Sequence, residues 1–275
     1  LTDRLMIAGD THGDCSHVIT LLDNARKHGC SRVFVVGDFG AWEHMADGRE
    51  FFDDVNRHAK KRDIMVYFLR GNHDKSSLVE ELYAHHQTWD GFYICRDNLM
   101  YAPDGLTWQW GTTTFAAFGG AYSVDKAWRL AQELHDREYY GADRSGWLWF
   151  PEEEMTDEDM TRHLDKITAS GTPLVDVMLT HDKPRASQPG WNRKDLPGCW
   201  PNQDRLQQAV RTLRPGRLYH GHLHWYYEDE IRCGDGPDDW TRVYGLNCNP
   251  RAAEGSTNEK RISWVITYLD QVTIR

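Results

Sequence analysis

The stretch Ile64-Met65-Val66-Tyr67-Phe68-Leu69-Arg70-Gly71-Asn72-His73-Asp74 passes from unbroken apolar character into a polar cluster within one step. An apolar run of this length, closed by a glycine, predicts a β-strand buried on both faces, the condition of a strand inside a parallel sheet. Towards the start of the chain the same pattern occurs twice more. Val33-Phe34-Val35-Val36 leads into Gly37-Asp38, and Leu5-Met6-Ile7-Ala8 leads into Asp10-Thr11-His12. Helical patterning fills the gaps, over residues 16–28 with Ser16 as N-cap and over about 50–61. Strands and helices alternating in this way predict parallel strands joined by crossover helices.

Downstream the character changes. Over residues 92–118, short β-like pieces broken by Asn98, Pro103-Asp104-Gly105 and Gly111 predict antiparallel hairpins or a meander. Residues 121–170 read as an inserted helical cap: a helix over 126–137, the segment Trp147-Leu148-Trp149-Phe150-Pro151, and a second helix capped by Thr156 with Asp159 in the capping-box position. A strand at 174–179, a Pro/Gly/Trp-rich loop at 183–201, a helix at 203–213 and strands at 217–219, 226–231, 242–246 and 262–269 follow. The expectation is a single α/β domain over residues 1–275, with the cap at about 121–170 as its insertion.

Composition narrows the function classes. A chain of 275 residues, 40% apolar and 12% aromatic, can bury one substantial core. Its formal charge of -10 opposes the phosphate attraction that drives non-specific duplex binding, so a nucleic-acid polymer is disfavoured and a small phosphorylated substrate preferred. The six cysteines form no C-x-x-C pair, which suits reduced thiols. The longest apolar runs are of strand length, far short of the roughly 20 residues of a membrane span. The opening residues from Leu1 show no secretory pattern, and the cytoplasm is the expected location.

Polar clusters follow the predicted strands at Asp10-Thr11-His12, Gly37-Asp38, Gly71-Asn72-His73-Asp74, His181 and Gly221-His222-Leu223-His224. Carboxyl ends of parallel strands open on one crevice, so these side chains can converge. In an extended chain residues i and i+2 point the same way, which pairs Asp10 with His12 and His222 with His224. The crevice would then hold seven N and O donors without a thiolate: Asp10, His12, Asp38, Asn72, His181, His222 and His224. That set suits Mn²⁺, Fe, Zn or Ni, and is too large for one catalytic ion. Two divalent ions roughly 3.5–4 Å apart, with Asp38 shared, would use all of it.

This ordered set resembles the calcineurin-like metallophosphoesterase superfamily, with motifs from about residue 7 to residue 224. The resemblance implies a four-layer α/β/β/α sandwich. It also implies Asp10, His12, Asp38 and His224 around one ion, and Asp38, Asn72, His181 and His222 around the other. Two dications lower the pKa of bound water from about 15.7 toward roughly 7, so that a bridging hydroxide would attack phosphorus in line. Arg70, beside the Gly-Asn-His-Asp cluster, is the candidate substrate-binding cation. His73 is the candidate general acid for the leaving alkoxide, with Asp74 placed to hold its imidazole. Other polar residues read as structural: His220, which should point the opposite way from its neighbours on a strand, His85 and His86, solvated on a helix, and Arg129, a helix-surface charge with contact to a phosphate as the lesser alternative. Most tryptophans read as packing, with Trp147 and Trp149 as candidates for substrate contact.

The branch of the superfamily that dephosphorylates proteins carries an Asp-Arg-Gly element after its second aspartate. Here Asp38 runs into Phe39-Gly40-Ala41-Trp42-Glu43, without that arginine. A diester carries one charge and needs fewer cations, which favours a phosphodiesterase for nucleotide-like or cyclic-nucleotide substrates. A small-molecule phosphomonoesterase would share the whole metal centre. A nuclease and a non-catalytic scaffold are the remaining readings.

Overall fold

The computed structural model describes residues 3–141, 146–171, 174–190, 196–249 and 262–269. In chain order they form β1 (Arg4–Ala8), α1 (Cys15–Lys27), β2 (Arg32–Val35), α2 (Ala46–Arg62), β3 (Met65–Phe68), α3 (Ser76–Tyr83), β4 (Tyr93–Arg96) and β5 (Leu99–Tyr101). The chain continues through β6 (Thr107–Trp110), β7 (Thr113–Phe118), α4 (Lys126–Tyr140), α5 (Asp157–Ala169) and β8 (Val177–Thr180). It closes with α6 (Trp200–Leu213), β9 (Arg217–His220), β10 (Tyr227–Arg232), β11 (Trp240–Gly245) and β12 (Trp264–Tyr268). Residues 191–195, in the middle of the loop expected at 183–201, lie outside the described residues.

The period of two along each strand builds the layers. In β1 and the residues around β2 and β3, Met6, Ala8, Val33, Val35, Val66 and Phe68 face α1 and α2. Their alternates Leu5, Ile7, Phe34, Val36, Tyr67 and Leu69 face inward, where they meet Phe115, Ala117, Val177, Leu179 and Tyr219 of the second sheet. On the far side, Ala116, Phe118, Met178 and Leu218 pack under α5 and α6. Because β1, β2, β3 and β8 are covered on both sides, their sequences are largely apolar. The result is the expected α/β/β/α sandwich. Between the sheets Phe34, Trp108 and Phe115 stack nearly parallel, with centroids 5.7 and 5.2 Å apart, each pair adding about 0.5–1.5 kcal/mol beyond its burial.

The two six-stranded sheets run β12-β1-β2-β3-β5-β4 and β10-β11-β9-β8-β7-β6. Strands β1, β2, β3 and β5 are parallel in the first, as are β7, β8, β9 and β11 in the second. Antiparallel strands occupy the edges. The stretch 92–118 is therefore not one meander but two hairpins, one at the edge of each sheet.

Three local expectations shift. Asp14, not Ser16, caps α1, its side chain accepting from the His17 N–H at 3.1 Å. His85 and His86 follow α3 in a turn rather than lying on it. Thr156 does cap α5, with Asp159 completing the capping box. Yet that helix is not part of a cap: Met160, Leu164 and Ile167 pack into the core beneath the second sheet, making α5 the crossover between β7 and β8. All six cysteines are free thiols. Among the described residues no helix is long and apolar enough to cross a membrane.

Candidate metal centre

Every polar cluster read from the sequence lies just beyond a parallel strand. Asp10 and His12 follow β1, Asp38 follows β2, Asn72 and His73 follow β3, His181 follows β8, and His222 and His224 follow β9. The two sheets deliver these ends to one place. One ligand atom from each of Asp10, His12, Asp38 and His224 lies within 4.8 Å of the others. Donors bound at about 2.0–2.2 Å to one ion stand no more than about 4.4 Å apart, so this set is close to the spacing an ion requires. Beside it, His181 Nε2 lies 3.0 Å from Asn72 Oδ1 and 3.4 Å from Asp38 Oδ1. The His222 ring stands 5.1 Å from that of His181, centroid to centroid. Asp38 thus stands in both groups of donors.

The route to this geometry differs from the strand alternation expected. His12, Asp38, His222 and His224 all have left-handed backbones, with φ of 47°, 45°, 63° and 51°. They sit in turns beyond the strands, each at a cost of about 1–3 kcal/mol for a residue with a Cβ. Neighbouring backbone bonds hold them there. The N–H groups of Thr11 and His12 both donate to the Asp38 carbonyl, at 3.1 and 2.7 Å. The His222 N–H donates to the Asp10 carboxylate at 3.0 Å, and the His73 N–H to Asp38 Oδ1 at 2.8 Å. Two motif glycines are required by close approach. A Cβ on Gly71 would lie 2.0 Å from Asp38 Oδ1, and one on Gly221 2.0 Å from Asp10 Oδ1.

A further shell fixes which atom each ligand turns inward. His181 Nδ1 donates to the Val36 carbonyl at 2.9 Å, leaving Nε2 for the centre. Asn72 Nδ2 donates to Ser123 Oγ at 2.9 Å, so its carbonyl oxygen faces His181. His12 Nδ1 pairs with Asn249 Oδ1 at 2.9 Å, freeing Nε2 toward Asp10 and Asp38. Such partners set tautomer and ring direction at metal sites. Neither Ser123 nor Asn249 was singled out in the sequence. The signal for Asn249 was available: it follows β11, another parallel strand, in the run Leu246-Asn247-Cys248-Asn249.

Asp10 and Asp38 are 0% and 1% exposed and face each other with imidazoles as ion-pair partners. Burial alone would push both carboxyls up; instead His73 and His181 hold Asp38 well below the usual carboxylate range, and His224 and His181 lower Asp10. The histidines respond in the opposite sense. Burial pulls His181 down, but Asp38 and Asp10 outweigh it and raise it to about 10; in His12, which is partly buried, Asp38 and Asp10 likewise overcome desolvation and raise it to about 9. His222, which burial and the neighbouring His181 lower to about 3, stays neutral. The pocket collects protons as positive charge. Divalent cations fit the same donors, since the proton on His181 Nε2 points at the oxygens of Asn72 and Asp38.

Three residues are not where the sequence put them. Arg70 points away from the centre: it is 4% exposed, Nε donates to Asp104 at 2.7 Å, and Nη1 donates to the carbonyls of Glu152 and Glu153. It ties the loop after β3 to the turn Pro151–Glu153 and is a structural clamp. Asp74 does not hold the His73 imidazole. Its carboxylate accepts from the backbone N–H groups of Phe39, Gly40, Ala41 and Gly71, locking the Asp38 loop to the Asn72 loop. Arg129, expected on a helix surface, is 5% exposed with Nη2 2.7 and 2.8 Å from the ring nitrogens of His73. His220, read as structural, is buried, its Nε2 2.7 Å from the Tyr227 hydroxyl.

A family model described as calcineurin-like phosphoesterase matches residues 3–226. Among solved structures, a dimetal phosphatase from Danio rerio is 11% identical, covering 98% of this chain and 93% of that one with a TM-score of 0.54. A phosphopantetheinyl hydrolase from Mycobacterium tuberculosis is 15% identical, covering 96% and 97%, with a TM-score of 0.45. No curated protein sequence matches the chain.

Two substitutions check the clamps. Arg70→Met strands the Asp104 carboxylate and should cost about 3–5 kcal/mol, read as a lower urea midpoint. Gly71→Ala should displace the Asp38 carboxylate and weaken binding of the first Mn²⁺ equivalents in a calorimetric titration. Unaltered Mn²⁺ binding would show that the Gly71 contact is not required.

Proposed function

The chain belongs to the calcineurin-like phosphoesterases, and on that premise we propose that it is a two-metal phosphodiesterase for nucleotide-like or cyclic-nucleotide substrates. The observation that carries the reading is the meeting of both donor groups on buried Asp38. Asp10, His12, Asp38 and His224 would hold one ion, and Asp38, Asn72, His181 and His222 the other, with Mn²⁺ the first choice for this mixed imidazole and oxygen set and Fe, Zn or Ni the alternatives. When bound, the pair supplies an acidified water as nucleophile and neutralises charge on the phosphoryl oxygens.

The protein's own part is orientation and proton supply. Asp74 and the backbone donors to Asp10 and Asp38 keep the ligands in place before substrate arrives. His73 is the general acid in this reading. Its side chain is 36% exposed, and its Nε2 lies 3.9 Å from Asp38 Oδ2. Burial, helped by Arg129, lowers its pKa in the free protein. An anionic phosphate beside it works against both and favours the protonated ring when the leaving oxygen needs a proton.

Two observations support a diester. Arg70 is withdrawn from the centre, which lowers the positive charge available for a dianion. Aromatic surface stands close by: Trp42 Nε1 donates to the His73 carbonyl, and Trp147, 40% exposed, meets His44 edge-on. Such rings suit a nucleoside leaving group. A small-molecule phosphomonoesterase is the second reading, and Arg129 beside His73 is the observation in its favour. The charge of -10 weighs against a nuclease.

Chelation should abolish hydrolysis of bis(4-nitrophenyl) phosphate, and Mn²⁺ should restore it. At 100 times its Kd the metal should also add about 2.7 kcal/mol of stability, visible as a higher Tm. A metal-loaded protein inert towards both nitrophenyl mono- and diesters would return the chain to a scaffold role. His73→Ala should reduce turnover by roughly 10²–10⁴ for an alkyl leaving group and less for nitrophenolate. Equal losses on both would remove His73 as the acid.

A further inference from the structure

α4 enters between β7 and α5 and is fastened to the segment that follows it. The Glu133 carboxylate accepts from the backbone N–H groups of Gly146, Trp147, Leu148 and Trp149, at 3.3, 2.9, 2.7 and 3.1 Å. One turn earlier, Arg129 Nε donates to Asp125 Oδ2 at 2.9 Å and Nη1 to the Leu148 carbonyl at 3.1 Å. Two edges of the guanidinium are thereby anchored to its own helix and the strapped segment. The third nitrogen, Nη2, is carried to the edge of the metal centre.

What Nη2 meets there is a poor match. It stands 2.7 and 2.8 Å from the two nitrogens of the His73 ring. A neutral imidazole has one lone pair, so a donor equidistant from both nitrogens has no well-aligned acceptor. Asp125, the acid that pairs with this arginine, is on the other edge and 43% exposed. A nearly buried cation with a rigid stem, whose free donors face an imidazole rather than an acid, is a half-made anion site. The site lies one side chain from Asp38, because the backbone N–H of the same His73 donates to Asp38 Oδ1 at 2.8 Å.

We propose that Arg129, supplied by α4, is the side chain that binds a non-bridging oxygen of the substrate phosphate, the role the sequence had suggested for Arg70. The proposal rests on the phosphoesterase reading and deepens it. The incoming oxygen would take the Nη2 donors and displace the ring of His73 from its present contact, leaving the imidazole beside the leaving group. A cation gains more from a phosphoryl group with two negative charges than from a diester with one, so Arg129 in this role weighs toward the second, monoesterase reading.

The test uses the full chain loaded with Mn²⁺ and the variants Arg129→Met and Arg129→Lys. KM and kcat are measured for 4-nitrophenyl phosphate and bis(4-nitrophenyl) phosphate, together with inhibition by inorganic phosphate and Mn²⁺ affinity. Arg129→Met should weaken phosphate inhibition roughly 10–100-fold, the worth of a hydrogen bond to a charged group, while Mn²⁺ affinity is kept. KM for the monoester should rise more than KM for the diester, and lysine should restore part of the loss. Unchanged phosphate inhibition in a variant that still binds Mn²⁺ would overturn the proposal and leave Arg129 as a strut for residues 146–149. Should Arg129→Met fail to fold, Arg129→Lys decides, since it keeps the charge and loses the fork: wild-type phosphate inhibition in it rejects the contact. If the wild type hydrolyses neither ester, the phosphoesterase reading falls separately. Calorimetric titration of inorganic phosphate into the Mn²⁺-loaded proteins then judges Arg129, with tighter binding to wild type supporting it and equal or absent binding rejecting it.

Discussion

Two carboxylates buried against each other govern this molecule. Asp10 and Asp38 lie at the floor of the crevice, out of contact with water, and desolvating such a pair costs several kcal/mol per charge unless positive charge is supplied close at hand. Imidazoles supply it in part, and backbone N–H groups of His73 and His222 supply dipoles. The raised values of His12 and His181 express the same demand, since each proton they hold is drawn by the acids. A divalent cation among these donors would supply the same charge more compactly than protons on the imidazoles.

The sandwich makes this possible because it brings two sets of parallel strand ends to one line. Each strand stops short of the centre, and a left-handed residue then turns a ligand inward. Four such residues together carry strain on the order of several kcal/mol. The packing that over-determines them is extensive: the aromatic layer between the sheets fixes the strand ends, and the Asp74 carboxylate binds two ligand loops into one unit. Glu133 repeats the device on α4, where one carboxylate gathers four consecutive backbone N–H groups. Both are cases of a side chain replacing secondary structure where none can form.

Much of this was legible in the sequence. Strands covered on both faces must be apolar throughout, and the polar residue that ends each run is therefore conspicuous; that is why all the ligand candidates could be picked out. What could not be read was direction. Arg70 adjoins Asn72 in the chain, but the turn between them sends the arginine outward to Asp104 and the asparagine inward to His181. Asp74 likewise turns beneath the loop and away from the His73 ring. Arg129 was read first as a helix-surface cation, because the bonds that tie α4 to residues 146–149 and turn this side chain to His73 are tertiary and not visible in helix periodicity. The second helix of the expected insertion was read from its cap at Thr156, and the tertiary packing adds that Met160, Leu164 and Ile167 are buried beneath the second sheet.

The pairing of His12 with Asn249 spans 237 positions, almost the full separation available in the chain. During synthesis the ribosome releases the candidate ligands in order, from Asp10 to His224, well before Asn249 emerges. Until then the far nitrogen of His12 lacks the acceptor that fixes its tautomer, a kind of support whose loss typically lowers metal affinity 10–100-fold. Any ion held by His12 would therefore gain this support only once the residues after β11 have joined the fold, which ties the orientation of the first candidate ligand loop to the last part of the chain to be made.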